Sequence, residues 1–368
     1  MGASSFSCSS HGFLILLLLL THAQSILQYG HAYQTPGDFS ADDYETIAAT
    51  FPIFTVEKRH APAIYGNASL PYPFQSNSIA ASIGTARKIK ALNSSVRVLM
   101  YWNSALHWNF YECEADVRPS WLLPASHHLP APSYNYSVPE FRAWWVNCAV
   151  GALMNSSGAL DGLFVDAVPK LTWVGQPPNA NELWGEMLDA VRAAVPHVFI
   201  IYNGDYYSHS SAVIANSSLL MHANAVYIES MADLIVDAKT DNLSMITEYL
   251  QYVAAAAAAN PGKPHFGHGT VTNSSHTDPA FTFGLAVFLL VTPAPSSSYF
   301  IANFGYRIDQ GVLFPHTEYA WAVGEPLGSF SVKGSKLTRL FANATVIVDL
   351  KTQSAQINVG AAFTDDRE

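Results

Sequence analysis

The sequence predicts an α/β fold, a (β/α)8 TIM-type barrel followed by a short C-terminal β extension, and three observations carry that prediction. From about residue 50 onward, short apolar, β-branched or aromatic runs alternate with longer amphipathic ones, the pattern of βα units around a parallel sheet. Seven strand-like runs fit within roughly 250 residues, and no Gly-x-Gly-x-x-Gly follows the first, which disfavours a pair of dinucleotide-binding halves. Beyond residue 330 the apolar spacing becomes two, as antiparallel strands require.

Taken in order, residues 1–25 read as a secretory signal. Phe13 to Leu20 is an eight-residue apolar run, too short to span a bilayer, and Thr21-His22-Ala23-Gln24-Ser25 supplies small residues for cleavage. Cleavage is expected near residues 23 to 25, or as late as Ala32, although residues 1–12 hold no Lys or Arg. The barrel is expected over 33–330. Its strands are placed at Phe51–Val56, Val96–Asn103, Gly162–Val168, Val198–Asn203, Ala225–Ser230, His265–Val271 and Ser298–Phe304. Helices are placed at Ser78–Leu92, Pro139–Met154, Asn181–Val195, Ser211–His222, Met245–Asn260 and Asp278–Val291. Pro139 suits a first helical turn, Pro196 a stop, and Ala254–Ala259 the end of a helix. The eighth strand is sought in the Pro-rich stretch 117–138, at Ser120–Leu123 or Tyr134–Tyr136. The apolar run 280–295, holding Gly284 and closed by Pro293 and Pro295, reads as a buried helix and not a membrane span. Residues 331–368 form the extension and tail, with strands at Ala344–Leu350 and Ala355–Val359 and no catalytic role.

With 49% apolar and 12% charged residues in a chain of 368, a large core is available, and neither disorder nor a coiled coil fits. Lys and Arg number 18 against 28 Asp and Glu, a net charge of −10, and the basic residues are scattered, so nucleic acid is excluded as a partner. Eight Asn-x-Ser/Thr sequons, at Asn67, Asn93, Asn135, Asn155, Asn216, Asn242, Asn273 and Asn343, exceed chance and imply passage through a glycosylating lumen. Cys8 leaves with the signal. Cys113 and Cys148 remain, most simply as one disulfide in an oxidising compartment, with a free-thiol pair as the alternative. The expected destination is the cell exterior or the lumen of the secretory pathway, vacuole or lysosome included, without stable membrane insertion.

In a parallel barrel the chemistry sits where the strands end. The polar residues closing apolar runs are Asn103, Asp166, Asn203, Glu229 and His268. Strand alternation puts Tyr101 with Asn103, Phe164 with Asp166, Ile201 with Asn203 and Tyr227 with Glu229 on one face. Asp166 and Glu229, two candidate strands apart, are the pair that glycoside hydrolysis needs: a negative charge beside the anomeric carbon and a proton donor for the leaving group. A lone strand-end acid more often caps a helix or binds an Arg, but two acids aligned with two Asn shift the balance toward catalysis. Asp205 and Asp233 are alternative second acids. Tyr101, Trp102, Asn103, Tyr202, Asn203, Asp205 and His268 are the candidate substrate-binding residues. Trp108, Tyr111, Trp121, Trp173, Tyr206 and Tyr207 are further aromatics that could stack on sugar rings, though 12% aromatic content guarantees some near any site. His265 and His268 lie three apart and face opposite ways on a strand, which argues against a shared metal. A metal-dependent hydrolase would need His268 and Asp166 on one ion, and no cofactor is called for. Gly-x-Ser-x-Gly and His-Glu-x-x-His are absent.

Three runs carry a family resemblance: Asn93-Ser-Ser-Val-Arg-Val-Leu-Met-Tyr-Trp-Asn103, Pro139-Glu-Phe-Arg-Ala-Trp-Trp145 and Leu160-Asp-Gly-Leu-Phe-Val-Asp166. With the closing Leu337-Thr-Arg-Leu-Phe-Ala-Asn-Ala-Thr-Val-Ile-Val348, the chain resembles uncharacterised glycoside-hydrolase-like TIM-barrel families over about residues 50 to 350. It departs from them in having Ser137-Val138-Pro139 where Asn-Pro is usual, and Ala342-Asn343-Ala344 near an expected Gly. The resemblance implies a (β/α)8 barrel with Asp166 in the place of the catalytic carboxylate, matched through Asp161-Gly162-x-Phe164-x-Asp166. Retaining α-galactosidase-type barrels also set their carboxylates two strands apart, which by analogy makes Glu229 the partner. The expectation is a secreted glycoside hydrolase acting on an oligo- or polysaccharide, with Asp166 as nucleophile or base and Glu229 as acid/base. Its rival is a catalytically inactive barrel that binds carbohydrate at the same mouth.

Overall fold

The computed structural model describes residues 26–32, 38–57, 78–108, 111–124, 131–168, 175–204, 217–229, 231, 243–270, 278–303 and 305–360. Eight parallel strands close in chain order: β1 (Leu27–Ala32), β2 (Ile53–Val56), β3 (Arg97–Asn103), β4 (Gly162–Asp166), β5 (Phe199–Asn203), β6 (Ala225–Ile228), β7 (His265–Thr270) and β8 (Tyr299–Asn303). β8 returns to β1, with Leu27 opposite Tyr299. The described helices are α1 (Ala41–Thr50), α2 (Ser78–Leu92), α3 (Pro139–Asn155), α4 (Ala180–Ala194), α5 (Leu243–Ala259) and α6 (Pro279–Val291). Ser40 caps α1 in a capping box with Asp43, and Asp278 caps α6 by accepting from the Ala280 amide at 2.9 Å.

One expectation is corrected. The eighth strand is not in 117–138 but is β1, ahead of residue 33 where the barrel was expected to start. Leu-Gln-Tyr-Gly-His-Ala lacks an apolar run. Its Gly30 is there because a Cβ would come within 2.3 Å of the Phe54 ring. The segment after residue 111 instead makes two 3₁₀ turns, Glu112–Asp116 and Pro119–Trp121, and an isolated antiparallel bridge between Leu122 and Tyr134. Its aromatics are spent on α3: Tyr134 stacks on Phe141 at 4.6 Å and Trp121 lies 6.0 Å from Trp144. Cys113 and Cys148 are bonded to each other, tying this segment to α3. Of the expected helix Ser211–His222, the described part is a 3₁₀ turn at Ser217–His222.

The extension is a four-stranded antiparallel sheet of β9 (Ser331–Lys333), β10 (Lys336–Leu340), β11 (Ala344–Asp349) and β12 (Ser354–Val359), in the order β12-β11-β10-β9. Leu337, Val346 and Val348 pack into one apolar cluster with α6, which is buried nearly all round. Arg339 on β10 fastens the sheet. Its Nη1 donates to the carbonyls of Leu289, Leu290 and Thr292, groups that the end of α6 would otherwise leave unpaired. No helix among the described residues is long and apolar enough to cross a membrane.

Candidate active site

The barrel interior is aromatic below and polar at the C-terminal end. Tyr29, Phe164, Tyr227 and Phe266 meet edge to face at 4.9 to 5.8 Å and form the floor. Above it, each strand carries a polar residue at or near its end: His31, Glu57 just past β2, Asn103, Asp166, Asn203, Glu229 just past β6, His268 and Asn303. Alternation dictates this ring, since each member stands two residues beyond a side chain of the layer beneath.

Asp166 and Glu229 meet through Asn203. The Asn203 Nδ2 donates to Asp166 Oδ1 at 2.9 Å and to Glu229 Oε2 at 2.7 Å. Two oxygens within reach of one nitrogen at those distances stand no more than about 5.6 Å apart. The other Asp166 oxygen accepts from the Tyr101 hydroxyl and, at 3.4 Å, from Asn103 Nδ2. Asn103 Oδ1 accepts from the Ala105 and Leu106 amides, which fixes the loop leaving β3. Ser104 donates from Oγ and from its amide to the Asp166 carbonyl, at 2.6 and 3.0 Å. The residue after Asp166, Ala167, has φ 65°, a left-handed conformation that costs a non-glycine residue about 1–2 kcal/mol and is held here by those contacts.

Glu229 Oε1 accepts from the Tyr306 hydroxyl at 2.8 Å. Tyr306 has spent its proton there, so its oxygen accepts from Tyr227, 3.1 Å away, in a chain running Tyr227 to Tyr306 to Glu229. Burial, and then the neighbouring carboxylate, push the Tyr101, Tyr227 and Tyr306 phenols well above their ordinary range, so all three remain protonated donors.

The sequence-predicted residues Tyr101, Asn103, Asp166, Asn203 and Glu229 thus come together in one hydrogen-bonded network. His268 joins the ring: its Nε2 and Asn303 Oδ1 are 2.8 Å apart, and its ring lies 5.5 Å from that of Tyr306. Trp102 and Tyr202 do not belong to the site. They alternate outward, Trp102 against Trp145 at 5.9 Å and Tyr202 against Trp184 at 5.5 Å, and both are buried under helices. Trp108, Tyr111 and Trp121 are likewise buried in the core. Asp205, Asp233, Trp173, Tyr206 and Tyr207 lie outside the described residues, as do the sequons at Asn67, Asn216, Asn242 and Asn273. Sequence reasoning missed His31, Glu57, Asn303 and Tyr306. Glu57 and Asn303 carried a usable signal, being polar residues at the ends of two expected strands.

The sequence profile of hypothetical glycosyl hydrolase family 15 matches residues 90–345. The chain belongs to this family. The matched span runs from the end of α2 to the start of β11, and so holds Asp166 and Glu229 but not β1 or β2. No curated protein matches the sequence significantly. Among solved structures, the family member is similar to an alpha-amylase from Lactobacillus plantarum, with TM-score 0.53 and 13% identity over 89% of this chain and 88% of that one. It is also similar to an Anoxybacillus alpha-amylase, with TM-score 0.52 and 10% identity over 89% of this chain and 87% of that one. At these identities the likeness is one of fold.

Proposed function

We propose that this hypothetical glycosyl hydrolase family 15 member is a secreted, retaining O-glycosidase acting on an oligo- or polysaccharide. One observation carries the reading: a single Asn203 amide nitrogen touches both Asp166 and Glu229. Retaining enzymes hold their two carboxyl groups about 5–5.5 Å apart, whereas inverting enzymes keep about 6.5–9.5 Å to admit a water. The cap of about 5.6 Å supports the first class.

In this mechanism Asp166, oriented on both oxygens by Tyr101 and Asn203, attacks the anomeric carbon, while Glu229 gives its proton to the departing glycosidic oxygen. The C–O bond to the leaving group breaks as an ester to Asp166 forms. Glu229, now a carboxylate, takes a proton from water, whose oxygen displaces Asp166 and releases the sugar. Asn203 keeps the two carboxylates in register as charge passes between them.

Secretion belongs to the same proposal. The place of β1 in the closed barrel favours cleavage near residues 23 to 25 over cleavage as late as Ala32. Of the described sequons, Asn155 and Asn343 are exposed, whereas Asn93 and Asn135 are half-buried. The test is a screen of the secreted protein and its Asp166→Asn form against aryl glycosides and polysaccharides. Hydrolysis by the wild type that falls at least about a thousandfold in the variant is expected; equal activity in both refutes the role of Asp166.

A further inference from the structure

The catalytic reading uses the β3 to β6 side of the ring and leaves the β1, β2 and β8 side without a task. There His31, Glu57 and Asn303 are 1%, 2% and 1% exposed, a costly placement for polar side chains unless each is satisfied. His31 Nδ1 has the Tyr29 hydroxyl at 3.2 Å, and that hydroxyl has Thr55 Oγ1 at 2.6 Å. The Glu57 carboxylate on the Nε2 side favours the tautomer with the imidazole proton there, Tyr29 then donating to Nδ1. That Nε2 has no hydrogen-bond partner and lies 3.6 Å from Glu57 Oε1. Asn303 is engaged through Oδ1 with His268, while its Nδ2 also has no partner. Each unmet buried donor costs about 1–3 kcal/mol. Apolar residues would avoid that cost, as Ile301 does beneath Asn303.

The two residues with unmet donors lie on strands that pair with each other. Leu27 pairs with Tyr299, so His31 and Asn303, each four residues on, reach the same level on neighbouring strands. The 3.6 Å between His31 Nε2 and Glu57 Oε1 is too long for a hydrogen bond. One hydroxyl oxygen can still approach both atoms to about 2.8 Å, accepting from the imidazole and donating to the carboxylate. A second hydroxyl, on the adjacent carbon, accepts from Asn303 Nδ2. We propose that His31, Glu57 and Asn303 form the subsite that grips a vicinal diol of the neutral sugar whose glycosidic bond is cleaved. The proposal rests on the glycosidase reading for its choice of ligand. The Tyr306 ring lies 4.7 Å from that of His31 with its hydroxyl on Glu229, where the sugar would sit. Entry of the sugar therefore displaces the Tyr306 ring and frees Glu229 Oε1 at the same moment.

The test is calorimetric titration of the full-length Asp166→Asn protein, in which turnover is blocked, with glucose, galactose, mannose and their monodeoxy analogues. Removal of either hydroxyl of one vicinal pair is expected to weaken binding at least about tenfold. The penalty for the first hydroxyl is expected to shrink when Glu57→Leu is added, and that for the second to vanish when Asn303→Ala is added, because the partner is then already gone. Tyr306→Ala is expected to tighten binding of the intact hexose. Absence of binding by all three hexoses, deoxy analogues that bind equally well, penalties that persist in both variants, or tighter binding of the corresponding amino sugar would each overturn the subsite. If a variant fails to fold, the deoxy series on the Asp166→Asn protein decides alone. Hydrolysis by the wild type is scored separately. Diol-dependent binding without any hydrolysis removes the glycosidase reading and keeps the subsite; Asp166-dependent hydrolysis without diol dependence does the reverse.

Discussion

Asn203 is the residue on which the site turns, because its one amide nitrogen spans the two carboxylates. Its replacement by Ala should lower kcat about a hundredfold or more with little change in KM, since in the proposed mechanism the contact matters most as charge moves between Asp166 and Glu229; steady-state kinetics on the best aryl glycoside of the screen checks this. A rise in KM with kcat unchanged would instead make Asn203 a substrate-binding group. Asp166, Asn203 and Glu229 were legible in the sequence because this chain is poor in charge, so a carboxylate ending an apolar strand stands out. Trp102 and Tyr202 were misread through proximity alone: each is one residue from a site residue, and one residue on a strand is the opposite face. Tyr306 left no trace in the pattern, since a loop side chain reaches its place by a turn and not by a period.

At the level of elements, β1 was hidden because Gln28, Gly30 and His31 interrupt what would otherwise read as a strand, and its glycine serves the neighbouring Phe54 and not the local conformation. With β1 went His31, one of the eight members of the polar ring. The extension was legible as period-two alternation, but not its attachment. Arg339, 7% exposed, donates to three carbonyls at the end of α6 and through Nε to Gly328, and burial pushes its guanidinium down to about 10. It therefore stays charged at neutral pH. Arg339→Met leaves those carbonyls buried and unpaired. A loss of about 2–4 kcal/mol in denaturant unfolding is expected, with kcat per folded molecule unchanged. A variant as stable as the wild type would mean that the sheet is held by its apolar face alone.

For the whole molecule, pH is the variable with a readable sign. Burial pushes the His265 imidazole down to about 4, from 6.5. The unfolded chain therefore binds a proton in that window that the folded protein refuses, and stability present above pH 6.5 is lost as pH falls towards 4, by up to about 3 kcal/mol. Denaturant midpoints measured across that window should fall, and should fall less in His265→Phe; parallel curves for the two proteins would contradict the assignment. The fold and the family were legible because barrel periodicity and strand-end acids are local signals. The place of His31 in the polar ring was not, because it depends on which strands the closed barrel makes neighbours. The most direct test of the central claim is mass spectrometry of the protein incubated with an activated 2-deoxy-2-fluoro glycoside of its preferred sugar, which slows release of a covalent intermediate. A glycosyl ester on Asp166, accumulating in the wild type and absent from Asp166→Asn, is the result predicted; turnover with no adduct, or an adduct on a different carboxylate, would contradict it.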